Sequence, residues 1–118
     1  NNSWMHNSPR LVKGPDRCTL QMSPADAAAR GLADGMKVRA RSRAGAIDVA
    51  LQVTDAMRPG VVCLPHGWGH HRPGTRMRVA AAHAGESAND LTDELFVDVL
   101  SGNAAFSGVA VEVEAVTP

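Results

Sequence analysis

Lys37-Val38-Arg39-Ala40-Arg41-Ser42-Arg43, then Ala44-Gly45, then Ala46-Ile47-Asp48-Val49-Ala50-Leu51-Gln52-Val53 is the stretch that decides the fold class. In its first half basic residues hold the odd positions and small or apolar ones the even positions, the period-two pattern of a strand with one buried face. Ala44-Gly45 supplies a tight turn. The chain then returns with Ile47, Val49, Leu51 and Val53 on one face and Asp48 and Gln52 on the other. Two alternating runs about a short glycine-containing turn predict a β-hairpin.

Outward from the hairpin, residues 109–116 alternate in the same way, residues 18–22 and 61–64 read as strands, and residues 76–81 as a weaker strand. Helical signals are short. Ser23 is an N-cap followed by Pro24 at the first helical position, an acidic residue in the first turn, and Arg30-Gly31 at the end. Residues 54–60 suggest one capped turn stopped by Pro59, and residues 90–100 fit a helix or a loop equally well. Several short strands with two or three small helices predict a mainly β fold, a closed or nearly closed barrel.

At 118 residues the chain is read as a single domain, residues 1–118, long enough to bury a core. Twelve basic residues balance twelve acidic ones, which argues against a nucleic-acid partner. No apolar run approaches the ~20 residues of a membrane span. The first residues lack the basic segment of a signal peptide and there is no initiator Met, so the chain reads as a fragment or processed product. Its compartment stays unknown, with the cytoplasm as default and the periplasm open if a twin-Arg signal lies upstream. Aromatic residues make up 3% of the chain, so the core is expected to consist of Val, Leu, Ala and Met, with Cys18 and Cys63 as small buried hydrophobes.

The chemistry concentrates in Pro65-His66-Gly67-Trp68-Gly69-His70-His71, which follows an apolar strand. Glycines let a backbone approach a bound group, Trp offers a flat face with one N–H, and His offers a donor and an acceptor. His66 and His70 stand four apart, a zinc-like spacing on a helix, but Pro65, Gly67 and Gly69 oppose a helix there and the closest acidic residue after the loop is Glu86. A zinc-dependent hydrolase built on His66, His70 and His71 remains an alternative, as does a stand-alone binding module without a cofactor. The basic face of Lys37, Arg39, Arg41 and Arg43 is expected to be solvated and paired with Glu112 and Glu114. Nucleophile-elbow, phosphate-loop and dinucleotide-fold glycine motifs are absent from the sequence, as is a Gly-Ser bond for self-processing.

An ordered set of stretches resembles the C-terminal domain of the molybdopterin oxidoreductases, the dimethyl-sulfoxide-reductase superfamily. The set is Asn2-Ser3-Trp4-Met5-His6-Asn7; Met22-Ser23-Pro24-Ala25-Asp26-Ala27-Ala28 with Gly31-Leu32-Ala33-Asp34-Gly35; residues 61–69 with their Pro-His-Gly-Trp-Gly loop; Ala88-Asn89-Asp90-Leu91-Thr92; and Phe106-Ser107-Gly108-Val109-Ala110-Val111. Together they cover nearly the whole chain, and the opening motif is similar to the formate dehydrogenase-like branch.

The resemblance implies a six-stranded double-psi β-barrel with a few short helices. It implies binding of molybdopterin guanine dinucleotide, with molybdenum or tungsten held by the cofactor in the full enzyme. The domain would cap that cofactor against the other domains of a parent oxidoreductase and would not be catalytic alone. Carried over by position, cofactor contacts fall to Ser3, Trp4, His6 and Asn7; to His66, Gly67, Trp68, Gly69 and His70; and to Asn89 and Leu91. No catalytic residue and no protein metal ligand is implied, since neither Cys18 nor Cys63 lies in a ligand motif.

Overall fold

The structure, a computed structural model, describes residues 3–116; Asn2 of the opening motif lies outside the described residues. The hairpin forms where it was read: β2 is Lys37–Arg41 and β3 is Ala46–Val53, antiparallel. Its register sets Val38 against Val49 and Ala40 against Ile47. Val38, Ala40, Ile47, Val49 and Leu51 are all buried, as the parity requires. β1 (Thr19–Met22) lies parallel to β3, β4 (Val62–Cys63) pairs antiparallel with β1, and β5 (Glu112–Ala115) pairs antiparallel with β2. The result is one mixed sheet in the order β4-β1-β3-β2-β5, curled into a half-barrel and accompanied by a few short helices. Leu20 and Met22 of β1 complete the core with Cys18, Ala27, Leu32 and Leu91.

Among the described residues five helical segments flank the sheet: a 3-10 turn at Ser3–Asn7, α1 at Pro9–Val12, α2 at Pro24–Ala29, α3 at Arg78–Ala82 and a second 3-10 turn at Ala88–Asp90. α2 begins as expected. The Ser23 hydroxyl accepts from the Asp26 backbone N–H (3.1 Å) and donates to the Asp26 carboxylate (2.9 Å). That carboxylate also accepts from the Gly60 N–H at 2.7 Å, and this bond, ahead of Ser23, holds its pKa below the usual carboxylate range. The cap therefore ties the start of α2 to the turn that feeds β4.

Three expectations are corrected. Residues 76–81 do not form a strand; residues 78–82 form α3. Its Val-Ala-Ala-Ala run favours helix, and the N-terminal amides are capped from outside the segment: Asn7 Oδ1 accepts from the Val79 N–H (3.1 Å) and the Ala80 N–H (3.3 Å). Cys63 is exposed on the edge strand, whereas Cys18 is buried as expected. The basic face pairs with Glu114 through Arg41 (3.5 Å), but its other ion pairs are different. Arg39 makes a two-pronged contact with Asp48 across the hairpin (2.6 and 2.8 Å), and Arg43 reaches Asp93 (2.7 Å). The register places Arg39 directly opposite Asp48, so the closest acid is on the neighbouring strand of the same hairpin. Residues 90–100, left open between helix and loop, form turns that lead into a single antiparallel bridge, Val97 to Ala104.

Candidate functional site

The loop at residues 65–71 leaves β4 and crosses the end of the sheet against residues 84–87. Two backbone bonds stitch them together: the Gly69 and His70 N–H groups both donate to the Ala84 carbonyl, at 2.8 and 3.1 Å. Close packing makes two glycines obligatory. A Cβ on Gly69 would lie 2.7 Å from the Ser87 Cβ, and one on Gly85 would lie 2.8 Å from the Cys18 Sγ and 3.0 Å from the Trp68 Cβ. Both residues also take positive φ (+102° and +57°), which only glycine adopts freely. Cys18 completes the seam, accepting from the Glu86 N–H at 3.2 Å through sulfur. Burial pushes its thiol pKa up, so it stays neutral and packs.

On this scaffold the expected site residues separate into two clusters. In the first, His6 of the N-terminal 3-10 turn lies over Trp68, with ring centroids 4.1 Å apart and planes tilted by 31°. His6 Nδ1 is 3.1 Å from Nε2 of His70, which is buried. One N–H serves that contact, so the pair holds together when at least one ring is neutral. Desolvation, then the charge of His70, lower the pKa of His6, and a hydrogen bond to the Gly67 carbonyl opposes them. Beside the stack lies a cleft of about 1100 Å³ whose walls include Met5, His6, Leu11, Arg17, Trp68 and Gly85.

The second cluster lies across the loop. The His66 Nε2–H donates to Asn89 Oδ1 at 3.2 Å, and Phe106 stands 6.0 Å from the His66 ring. A second cleft of about 680 Å³ opens here, walled by Cys63, His66, Asn89, Leu91, Phe106 and Val111. Asn89 sits on the 3-10 turn Ala88–Asp90, which Asp90 fixes through an ion pair with Arg72. Leu91 is buried in the core and presents only an apolar wall.

Of the remaining expected residues, Gly67 meets the first cluster through its carbonyl, and the others join neither cluster directly. Trp4 is 67% exposed, so it is not a core residue, and Ser3 is exposed on the same turn. Asn7 uses its carbonyl oxygen to cap α3, and Gly67 is buried with φ +105° beneath His6. The zinc alternative finds no support among the described residues, where His70 turns to His6 and His66 to Asn89. Among the described residues no three His, Cys, Asp or Glu side chains converge on a metal position. Sequence reasoning missed Arg17 and Gly85. Gly85 carried a legible signal, since a lone Gly between two loop segments often marks close backbone approach; Arg17 carried none.

One polar atom beside the first cleft stands out. The Trp68 indole N–H is buried and has no acceptor among the described residues. A buried donor without a partner costs about 1–3 kcal/mol, and an acceptor on a planar ligand beside the His6–Trp68 stack would remove that cost. An aromatic stack with a free donor, across a loop from an imidazole–amide pair, suits a ligand with heteroaromatic heads. A molybdopterin dinucleotide fits this donor set.

The fold is thus a β-rich module with two clefts flanking the loop at residues 65–71. Comparison with known proteins agrees: the profile of the family described as "Molydopterin dinucleotide binding domain" matches residues 1–110, and the chain belongs to that family. It is 30% identical over 95% of its length to the molybdopterin-containing subunit of the arsenate respiratory reductase of Chrysiogenes arsenatis, of which it covers 14%. It is 43% identical over 48% of its length to the dimethyl sulfoxide/trimethylamine N-oxide reductase of Cereibacter sphaeroides, covering 7% of that protein. The fold is similar to part of acetylene hydratase from Pelobacter acetylenicus, with a TM-score of 0.68 over 83% of this chain and 14% of that one, at 17% identity. The chain spans about one seventh of the length of the arsenate reductase subunit. It is a molybdopterin dinucleotide-binding domain, and no helix among its described residues is long and apolar enough to cross a membrane.

Proposed function

We propose that this domain caps a molybdopterin guanine dinucleotide within a larger molybdenum or tungsten oxidoreductase, and that its two clusters are the contacts. The observation that carries the proposal is the Trp68 N–H, buried and without a partner among the described residues, beside the His6–Trp68 stack. Trp68 would present that donor to an acceptor on a heteroaromatic head, with His6 against the ring and His70 fixing His6. His66 and Asn89 would meet a second polar edge, with Leu91 as the apolar wall. Ser3, Trp4, Asn7, Gly67 and Gly69 would shape the approach, Asn7 by anchoring α3 to the N-terminal turn. When bound, the cofactor supplies the redox chemistry; the protein binds, orients and excludes water. The whole chain 1–118 would act as one such domain.

We further propose that the half-barrel is part of a six-stranded double-psi β-barrel. Support comes from the two free edges: residues 61–64, including β4, and residues 106–111, just before β5, line the same cleft. Residues 109–111 continue the alternation of β5 toward β4, where a sixth strand would close the seam.

The test uses the natural full-length protein. Trp68→Phe keeps an aromatic face, though a smaller one, and removes the N–H, while Asn89→Ala removes the amide. Each is expected to lower cofactor content, measured as acid-released GMP and bound metal, with little change in thermal stability. Full occupancy in both variants would contradict the site.

A further inference from the structure

Among the described residues, the most exposed apolar surface is neither cleft but the short hairpin beside the second one. Within residues 95–106 the exposures are Leu95 75%, Phe96 59%, Val97 44%, Val99 94%, Leu100 97% and Phe106 66%. Contiguous apolar surface of this kind marks an interaction site rather than ordinary scatter. The segment is ordered by its own bonds. Val97 bridges Ala104, the Asp98 N–H donates to the Asn103 carbonyl (2.8 Å), and the Gly102 N–H donates to the Asp98 carbonyl (2.8 Å). The Asp98 carboxylate closes the tip by accepting from the Ser101 N–H (2.8 Å) and hydroxyl (2.6 Å). Val99 and Leu100 are thus held out at the apex of a braced turn, a preorganised knob.

We infer that this knob docks into an apolar hollow on another domain of the same polypeptide, the domain that walls the far side of the cofactor. The inference rests on the cofactor reading above. Two observations choose this occupant. The hairpin is continuous with the second cleft, because Phe106 at its base stands 6.0 Å from the His66 ring and lines that cleft with Asn89. A cleft open on one side encloses a dinucleotide only when a second wall closes over it, and that wall would meet the hairpin at the same rim. The arsenate reductase subunit is about seven times the length of this chain, so a parent of similar size has room for such a wall within one polypeptide.

The experiment places a photo-reactive benzoylphenylalanine at position 99 or 100 of the natural full-length protein and maps the crosslinks by mass spectrometry, with acid-released GMP assayed on the same sample. Crosslinks within a single chain, to residues outside this domain, are expected. Leu100→Asp is expected to raise amide exchange across residues 97–104 about ten-fold or more, as the docked hairpin opens. Crosslinks between two copies, or none beyond this domain, would overturn the inference. Because GMP is measured separately, intramolecular docking without GMP would leave the knob standing and sink the cofactor reading, while GMP without docking would do the reverse.

Discussion

In the sheet, Val38 meets Val49 and Ala40 meets Ile47 across a turn between strands adjacent in sequence. In the loop layer at its end, His6 meets His70 and Cys18 meets Glu86, partners 64 and 68 residues apart. The first kind of contact repeats every second residue and survives the loss of any one pair. The second kind depends on single atoms and on glycines that admit a neighbouring backbone. The sheet therefore carries a redundant set of packing contacts, and the loop layer is held with little redundancy.

The largest effect should come from the sheet. Leu51→Ala removes a fully buried side chain from the centre of β3 and is expected to cost about 2–5 kcal/mol, read as a lowered urea midpoint. Cofactor content should fall only as far as the folded fraction falls. A disproportionate loss of cofactor would mean that the core also positions the loops.

Gly85→Ala should behave in the opposite way. The new Cβ would strike Cys18 and Trp68 and strain a positive φ, for about 1–3 kcal/mol of destabilisation. GMP content should drop well beyond that, because Trp68 moves. Wild-type cofactor content in a folded Gly85→Ala protein would remove the distinction between the two regions.

The smallest effect is a pH dependence confined to the loop layer. His6 has a folded pKa below its ordinary 6.5, so the unfolded chain takes up its proton first. The contribution of a neutral, desolvated His6 beside His70 is fully present above that value and is lost as pH falls through the lower folded pKa. His6 is partly solvated, so screening keeps the effect modest. The fall in Tm from pH 7 to below pH 6 should be smaller in His6→Gln than in the wild type. An identical fall in both would show that the His6 contact contributes nothing.

The same division explains what the sequence revealed. The strands β1, β2 and β3 and the cap at Ser23 were legible because their signals are local: strict parity in residues 37–53 and a Ser-Pro pair before a small-residue run. α3 was misread because an Arg-Met-Arg-Val run mimics a strand, while its cap comes from Asn7, 72 residues away. Cys63 was expected in the core, but the two-residue β4 is an edge strand. The histidines of residues 66–71 were identifiable as a group, yet their division between two partners, His6 and Asn89, depends on the path of loops that no periodicity encodes. Trp4 has the same character: its motif was visible, its exposure was not.

The most direct measurement is the metal and nucleotide content of the natural full-length protein: molybdenum, tungsten and zinc by elemental analysis, with acid-released GMP from the same preparation. Molybdenum or tungsten with about two GMP per metal, as a paired dinucleotide cofactor releases, is the expected result. Folded protein with neither metal nor GMP, or with zinc alone, would contradict the proposed role.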